Sequence, residues 1–364
     1  MKILLLGGTG AMGIHLVNLL EKRAETRIFI TTRKRRLDRE RVKYIQGDAH
    51  DLNFLMPLLD KESFDAVVDF MIYETAEFNK RIDRILERCV QYIFLSSARV
   101  FANEDEWITE RSPRLLDVSK DEAYLKTDEY ALRKAREENI LRQSVRKNWT
   151  IVRPYITFSE ARLQLGVYEK EAWLYQALQG RSIVFSRDIA NHYTTMTYAL
   201  DVARGIAGLI DNPKAMGEDF NITTTEAYTW QEILDLYLMV LERELGMRPN
   251  VKYTDTAINL RFKSSQYQVK YCRLFDRRFD NGKILSVVPG LRFSHTLDCL
   301  KECVEAFLRN PFFRPGGWGA RALFCKVSKE NIPRSEFANS REYSKYLVLR
   351  YAPWWAIEVL KNRS

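Results

Sequence analysis

The sequence of 364 residues is short of cysteine and has no long apolar run, and each shortage removes a class of protein. Five cysteines (Cys89, Cys272, Cys299, Cys303 and Cys325) are an odd number in a long chain with no CxxC pair. That pattern argues against a disulfide framework and for a reducing cytoplasm. Cys299 and Cys303 would share a helix face, but no cluster of histidines or carboxylates completes a tetrahedron. They read as buried thiols, and no metal is expected. No stretch is apolar enough for a signal peptide or a membrane span: Met1-Lys2-Ile3-Leu4-Leu5-Leu6 runs straight into glycines. Internal repeats and low-complexity segments are absent too.

What is present is an ordinary globular composition, 46% hydrophobic and 29% charged, ample for a buried core. The length predicts two domains. A net charge of +9 fits attraction to nucleic acid, anionic lipid or a phosphorylated small substrate, without choosing among them.

Along the chain, residues 3–6 form a continuous apolar run, the pattern of a central parallel strand buried on both faces. A glycine turn follows, then a helix over 11–22 carrying Met12, Leu16, Leu19 and Leu20, and a second strand over 27–32. Strands are expected at 42–45, 66–70, 92–95 and 149–153, with helices between them and one long polar helix over 121–147. Such alternation predicts an α/β fold, a Rossmann-type doubly wound parallel sheet with helices on both faces. Residues 1–160 form this domain, with 186–210 returning to it. Residues 161–364 form a smaller, helix-rich C-terminal substrate lobe with a basic, aromatic extension. Helical patterns are expected there near 168–179, 200–210 and 230–245.

Gly7-Gly8-Thr9-Gly10-Ala11-Met12-Gly13 places glycines at 7, 10 and 13, between a strand and a helix. There the backbone can approach a pyrophosphate, stabilised by free N–H groups and the positive end of the helix dipole, while Gly13 permits close helix packing. Gly7, Thr9, Gly10, Ala11, Met12 and Gly13 are therefore candidate contacts for NAD or NADP. A carboxylate at the end of the second strand would favour NAD. Here that end reads Thr31-Thr32-Arg33-Lys34-Arg35-Arg36, so Thr32 and Arg33 are further candidates and NADP is favoured. The plainer alternative is a solvated basic loop.

Ser96-Ser97 follows the fifth strand, and Tyr130-Ala131-Leu132-Arg133-Lys134 lies on the next long helix. Tyrosine and lysine four apart share a helix face. A phenol of ordinary pKa about 10 is a poor base near neutrality unless a cation favours phenolate. Lys134 can supply that cation, so Tyr130 would exchange a proton with a sugar hydroxyl while hydride moves, and Ser97 would hydrogen-bond the reacting oxygen. With 18 tyrosines a chance Tyr-x-x-x-Lys is unsurprising; its position between the serines and Arg153-Pro154 gives it meaning.

Taken in order, these motifs resemble the extended short-chain dehydrogenase/reductase family, the NAD-dependent epimerase/dehydratase branch acting on nucleotide sugars. The resemblance covers roughly residues 1–230 and includes Gly47-Asp48 and Thr197-Tyr198-Ala199-Leu200-Asp201-Val202-Ala203. It implies that Asp48 contacts adenine, that Ser97, Tyr130 and Lys134 are catalytic, and that the C-terminal lobe holds the nucleotide sugar. By position, Phe70, Pro154 and Ile156 join the cofactor contacts. Some places depart from the family. Its dehydratases carry Asp-Glu where Ala98-Arg99 stand, which argues against elimination of water. Phe101-Ala102 replaces the usual Tyr-Gly, Ile156 stands where an asparagine is frequent, and Asp69-Phe70-Met71-Ile72-Tyr73 replaces a His-Ala-Ala strand end.

The expectation is therefore an NAD(P)-dependent epimerase or keto-reductase of a nucleotide-activated sugar, in the cytoplasm, with no nucleic-acid partner. A non-catalytic relative that binds RNA or senses cofactor is the alternative; the net charge motivates it, and the presence of both Tyr130 and Lys134 opposes it. Arg99 reads equally as a substrate-phosphate contact or an ion-pair partner. Tyr124 and His192 read as structural. The segment 346–360, with Leu347, Leu349, Trp354, Trp355 and Leu360, reads as packing on the second lobe or a homodimer partner rather than as a membrane-surface helix.

Overall fold

The apolar run at the N-terminus becomes strand β1 (Lys2–Leu6), in which Ile3, Leu4, Leu5 and Leu6 are fully buried. Successive side chains point to opposite faces of a sheet, so this burial requires a core layer on each side. Ile3 and Leu5 join one layer with Leu16, Leu20, Val68, Val202 and Ile206. Leu4 and Leu6 join the other with Leu55, Val67, Phe78, Ile82 and Phe94. Each such side chain contributes about 1.5–3 kcal/mol of burial.

The computed structural model describes residues 1–261, 263–314, 318–354 and 356. The chain divides into two compact units. The first comprises Met1–Ser159, Thr195–Glu226 and Arg278–Thr296, and the second Glu160–Thr194, Ala227–Arg277 and Leu297–Ser364. Residues 186–194 thus stand in the second unit, and the segments returning to the first are 195–226 and 278–296.

In the first unit the order after β1 is α1 (Ala11–Leu20), β2 (Arg27–Thr32), β3 (Val42–Gln46), α2 (Leu52–Lys61), β4 (Phe64–Asp69), α3 (Thr75–Leu86) and β5 (Cys89–Leu95). Then come α4 (Leu115–Val118), α5 (Glu122–Leu125), α6 (Tyr130–Gln143) and β6 (Trp149–Arg153). A seventh strand, Glu218–Asn221, pairs with β6. The sheet is parallel throughout, in the order Glu218–Asn221, β6, β5, β4, β1, β2, β3. This is the doubly wound α/β arrangement. The chain reverses direction of travel across the sheet between β1 and β4, and a crevice opens beyond the strands' carboxyl ends at such a point.

The long helix expected over 121–147 is instead α5 and α6, broken at 126–129. Side chains there compete for the backbone. Asp121 caps α5 by accepting from the Tyr124 N–H, and the Glu129 carboxylate accepts from the Ala131 N–H and starts α6 afresh at Tyr130. Asp128 is held outside by Thr75, Arg133 and Arg136.

The second unit is helix-rich. Its longest helix, Trp230–Leu245, opens on a capping box between Thr229 and Glu232 and closes on Gly246 at φ +72°. Trp173 stacks on its Tyr237 at 4.6 Å. The stretch 168–179, expected as one helix, is a strand pair (Gln164–Leu165 with Tyr168–Glu169) followed by the helix Trp173–Leu178. Cys303 is buried and Cys299 half-buried. Near the C-terminus Tyr346 and Leu349 are buried, with the Tyr346 hydroxyl accepting from the Ile332 N–H, while Trp354 is exposed. Trp355 and Leu360 lie outside the described residues. Among those described, no helix is long and apolar enough to cross a membrane.

Candidate active site

Because the strands are parallel, the segments that follow them all emerge on one edge of the sheet. Gly7 follows β1, Arg33 follows β2, Asp48 lies two residues beyond β3, Phe70 follows β4, Ser97 lies two beyond β5, and Pro154 follows β6. Every residue singled out from the sequence for cofactor or catalysis therefore belongs to the first unit.

The glycine turn has the geometry that an anion site needs. Gly7 takes a left-handed φ of +69°, where a side chain would be strained and its Cβ would stand 2.8 Å from Met71 Sδ. A Cβ at Gly13 would lie 2.2 Å from the Gly8 carbonyl oxygen, so α1 can approach the turn only without one. Gly10, by contrast, faces open space, with nothing within 4 Å of a Cβ placed there. It caps α1 with no side-chain hydrogen bond and no acidic residue in the first turn. An uncapped helix start facing open space is suited to a pyrophosphate, so the residues present fit a dinucleotide. Thr9, Ala11 and Met12 line the same turn.

At the end of β2 the Thr31 hydroxyl accepts from the Gly7 N–H at 3.1 Å, tying this strand to the turn. The Thr32 hydroxyl oxygen accepts from the Lys34 N–H. Arg33, Lys34, Arg35 and Arg36 are all exposed. Asp48 is exposed as well, one carboxylate oxygen accepting from the His50 N–H at 3.0 Å. Phe70 packs at the edge of the first core layer. Ile156 carries φ +32°, a left-handed conformation that costs a β-branched residue about 1–3 kcal/mol.

The two serines after β5 have different partners. Ser96 is buried and donates to Glu138 at 2.6 Å. Ser97 accepts from the Arg99 N–H at 3.3 Å, which leaves its own proton free to be donated. Tyr130, the first residue of α6, is half-buried with the Arg99 guanidinium 5.0 Å from its ring centre. Arg99 pairs with Glu129 at 2.7 Å, and Glu129 also accepts from the Tyr124 hydroxyl and the Ala131 N–H. Of its two sequence readings, Arg99 therefore takes the ion pair, and its guanidinium also lies over the Tyr130 ring.

Lys134 is 1% exposed. Its ammonium lies 3.0 Å from Glu137 and 4.4 Å from the centre of the Phe94 ring. Glu137 was not singled out from the sequence, because a glutamate three residues after a lysine ordinarily marks a solvated helix face. Here burial pushes its carboxyl up to about 7, with Lys134 the main opposing influence. Nearby Asp69, also fully buried, accepts from the Met71 N–H at 2.9 Å and from the Tyr73 and Tyr92 hydroxyls at 3.0 and 2.8 Å. Burial raises its pKa in spite of these donors. On the neighbouring position, Glu138 is gripped by Arg153 through two bonds of 2.7 and 2.8 Å. Burial works to raise its pKa, but Arg153, Ser96 and Arg142 hold it below the usual carboxylate range. His192, in the second unit, pairs with Asp276 at 3.0 Å.

A sequence model described as the NAD dependent epimerase/dehydratase family matches residues 3–223. The chain is 25% identical over 244 residues to the chloroplast stem-loop binding protein of 41 kDa b of Arabidopsis thaliana, covering 63% of this chain. It spans 60% of that relative's length. Among solved structures, it resembles the dTDP-glucose 4,6-dehydratase of Bacillus anthracis in complex with NAD (TM-score 0.64, 16% identity, 85% of this chain and 97% of that one). It also resembles the UDP-glucuronic acid 4-epimerase of Bacillus cereus in complex with UDP-glucuronic acid and NAD (TM-score 0.63, 16% identity, 84% and 100%). At such identities the likeness is one of fold.

Proposed function

This chain belongs to the NAD dependent epimerase/dehydratase family, and we propose that it is an NADP- or NAD-dependent epimerase or keto-reductase of a nucleotide-activated sugar. The observation that carries the reading is the open, uncapped start of α1 at Gly10, on the same sheet edge as Ser97 and Tyr130. Gly7, Thr9, Gly10, Ala11, Met12 and Gly13 would hold the pyrophosphate; Thr32, Arg33 and Asp48 the adenosine end; Phe70, Pro154 and Ile156 the nicotinamide end. Bound there, the cofactor supplies hydride chemistry at a sugar carbon. The exposed Arg33-Lys34-Arg35-Arg36, with no carboxylate among them, support NADP over NAD.

The residues of this chain move the proton. Tyr130 Oη takes it from the sugar hydroxyl during oxidation and returns it during reduction, with Ser97 Oγ donating to the same oxygen. Lys134 supplies positive charge one helical turn away. Arg99, paired with Glu129, lies over the phenol ring. Ala98 and Arg99 offer no acid or base for elimination of water, which supports epimerisation or reduction over dehydration. The second unit would hold the nucleotide sugar, and the free cysteines support a reducing, cytoplasmic setting.

A screen of nucleotide sugars with purified protein, following nicotinamide absorbance and product stereochemistry, tests the reading. Net consumption of NADPH identifies a reductase; product formation with none identifies an epimerase. Tyr130→Phe should reduce either activity by a factor of about 10²–10⁴. A second reading, RNA binding, is favoured by the stem-loop-binding relative and by the exposed run Arg33–Arg36. Retention of a stem-loop RNA that survives Tyr130→Phe but is lost when that run is changed to alanine would support it.

A further inference from the structure

The proton chemistry above leaves a buried carboxylate without a task. Glu137 is fully buried and faces the ammonium of Lys134 at 3.0 Å. That short contact is a buried ion pair, and it works against the effect of burial on the carboxyl. Tyr130, Lys134 and Glu137 stand at positions i, i+4 and i+7 of α6, one above another on one helix face.

Other charged and titratable groups surround this line. Arg133 lies on the same helix and Asp69 on β4, while Tyr92 lies on β5. Tyr73 follows β4 with Arg81 of α3 4.2 Å from its ring centre. At the Tyr130 end stand Arg99 and Glu129, the latter bonded to Tyr124. Asp69 is already occupied by three donors, whereas Glu137 has only Lys134. A buried ammonium without a counter-charge is costly, and Glu137 is the carboxylate placed to be that counter-charge.

We infer that Glu137 is a positioning residue: it holds the Lys134 ammonium against Phe94 and offsets its charge, and so sets the pH at which the Tyr130 phenol ionises. This rests on the reading of Tyr130 as the proton carrier. An ammonium with a carboxylate 3.0 Å away exerts only part of its field on a phenol one turn distant. With Glu137 protonated the ammonium acts alone and phenolate is favoured. With Glu137 ionised the pair is nearly neutral from where Tyr130 stands. Burial places this carboxyl's ionisation at about 7, inside the working range, so the charge that faces Lys134 changes there.

The test reads Tyr130 directly. Tyrosinate absorbance is titrated in the full chain and subtracted from that of the matching Tyr130→Phe protein, which isolates one phenol among the 18 tyrosines. Glu137→Gln should lower the Tyr130 midpoint by about one pH unit, a tenfold change in its ionisation constant. Glu137→Asp should restore the wild-type midpoint, which a purely structural role would not require. An unchanged midpoint in a folded Glu137→Gln protein overturns the inference. If that variant does not fold, the pair Lys134→Met with Glu137→Gln, which buries no charge, decides instead. Its Tyr130 midpoint should stay at the wild-type value, and a rise would show Lys134 acting on the phenol unopposed. The measurement needs neither cofactor nor substrate. Failure to bind either nicotinamide dinucleotide would remove the proposed function, whereas an unchanged midpoint with intact cofactor binding removes only the role of Glu137.

Discussion

Glu137 and Glu138 are consecutive residues on one helix, both fully buried, and their surroundings are opposite. Glu138 is saturated: it takes two bonds from Arg153 and one each from Ser96 and Arg114. Arg153 reaches onward to Asp219 on the seventh strand at 2.8 Å, so the cluster ties α6 to the sheet. Glu137 has a single ion-pair partner, Lys134. A carboxylate supplied with donors stays charged and stabilises the fold; one left with a single charge partner is open to protonation. The difference separates a structural anchor from a group that can respond to the site.

The largest effect that could break this comparison is at the anchor. Arg153→Met leaves Glu138 and Asp219 without their main donor and should cost about 3–5 kcal/mol in denaturant unfolding. A loss as small as that of a surface ion pair would remove the distinction. Next is the dependence on pH, where the two neighbours should act with opposite sign. The Glu138 pKa is depressed on folding, so its contribution is present above the unfolded carboxylate range and is lost as pH falls through the folded value. The Glu137 pKa is raised from 4.5 to about 7, so its contribution is full at low pH and declines between these values as pH rises. That decline is worth about 3 kcal/mol, and it should be absent from the stability profile of Glu137→Gln. Smaller still, Ser96→Ala removes one bond to the anchored carboxylate and should cost about 1.5–3 kcal/mol, with no change in the alkaline limb.

The parallel sheet was legible because central strands write their environment into their own residues. Ile3 to Leu6, with apolar side chains on both faces, can be little else, and the glycine turn after them depends only on local backbone geometry. The break before α6 was hidden because its cap is Glu129, a residue outside the usual N-cap set of Ser, Thr, Asp and Asn. The roles of Glu137 and Glu138 were hidden for a different reason. On a helix this polar, Lys134-x-x-Glu137 has the spacing of a solvated pair, and only the packing of α3 and β5 against α6 takes it out of water. The partner of Ser96 was hidden as well, because it is Glu138, 42 positions away along the chain.

The central claim is that the turn at Gly7–Gly13 and the strand ends beside it hold a nicotinamide dinucleotide. Fluorescence titration of the purified protein with NADPH tests it most directly, with NADH as the comparison. Binding should saturate, be tighter for NADPH, and weaken toward the NADH level when Arg33 to Arg36 are changed to alanine. Absence of binding by either dinucleotide, even at millimolar concentration, would contradict it.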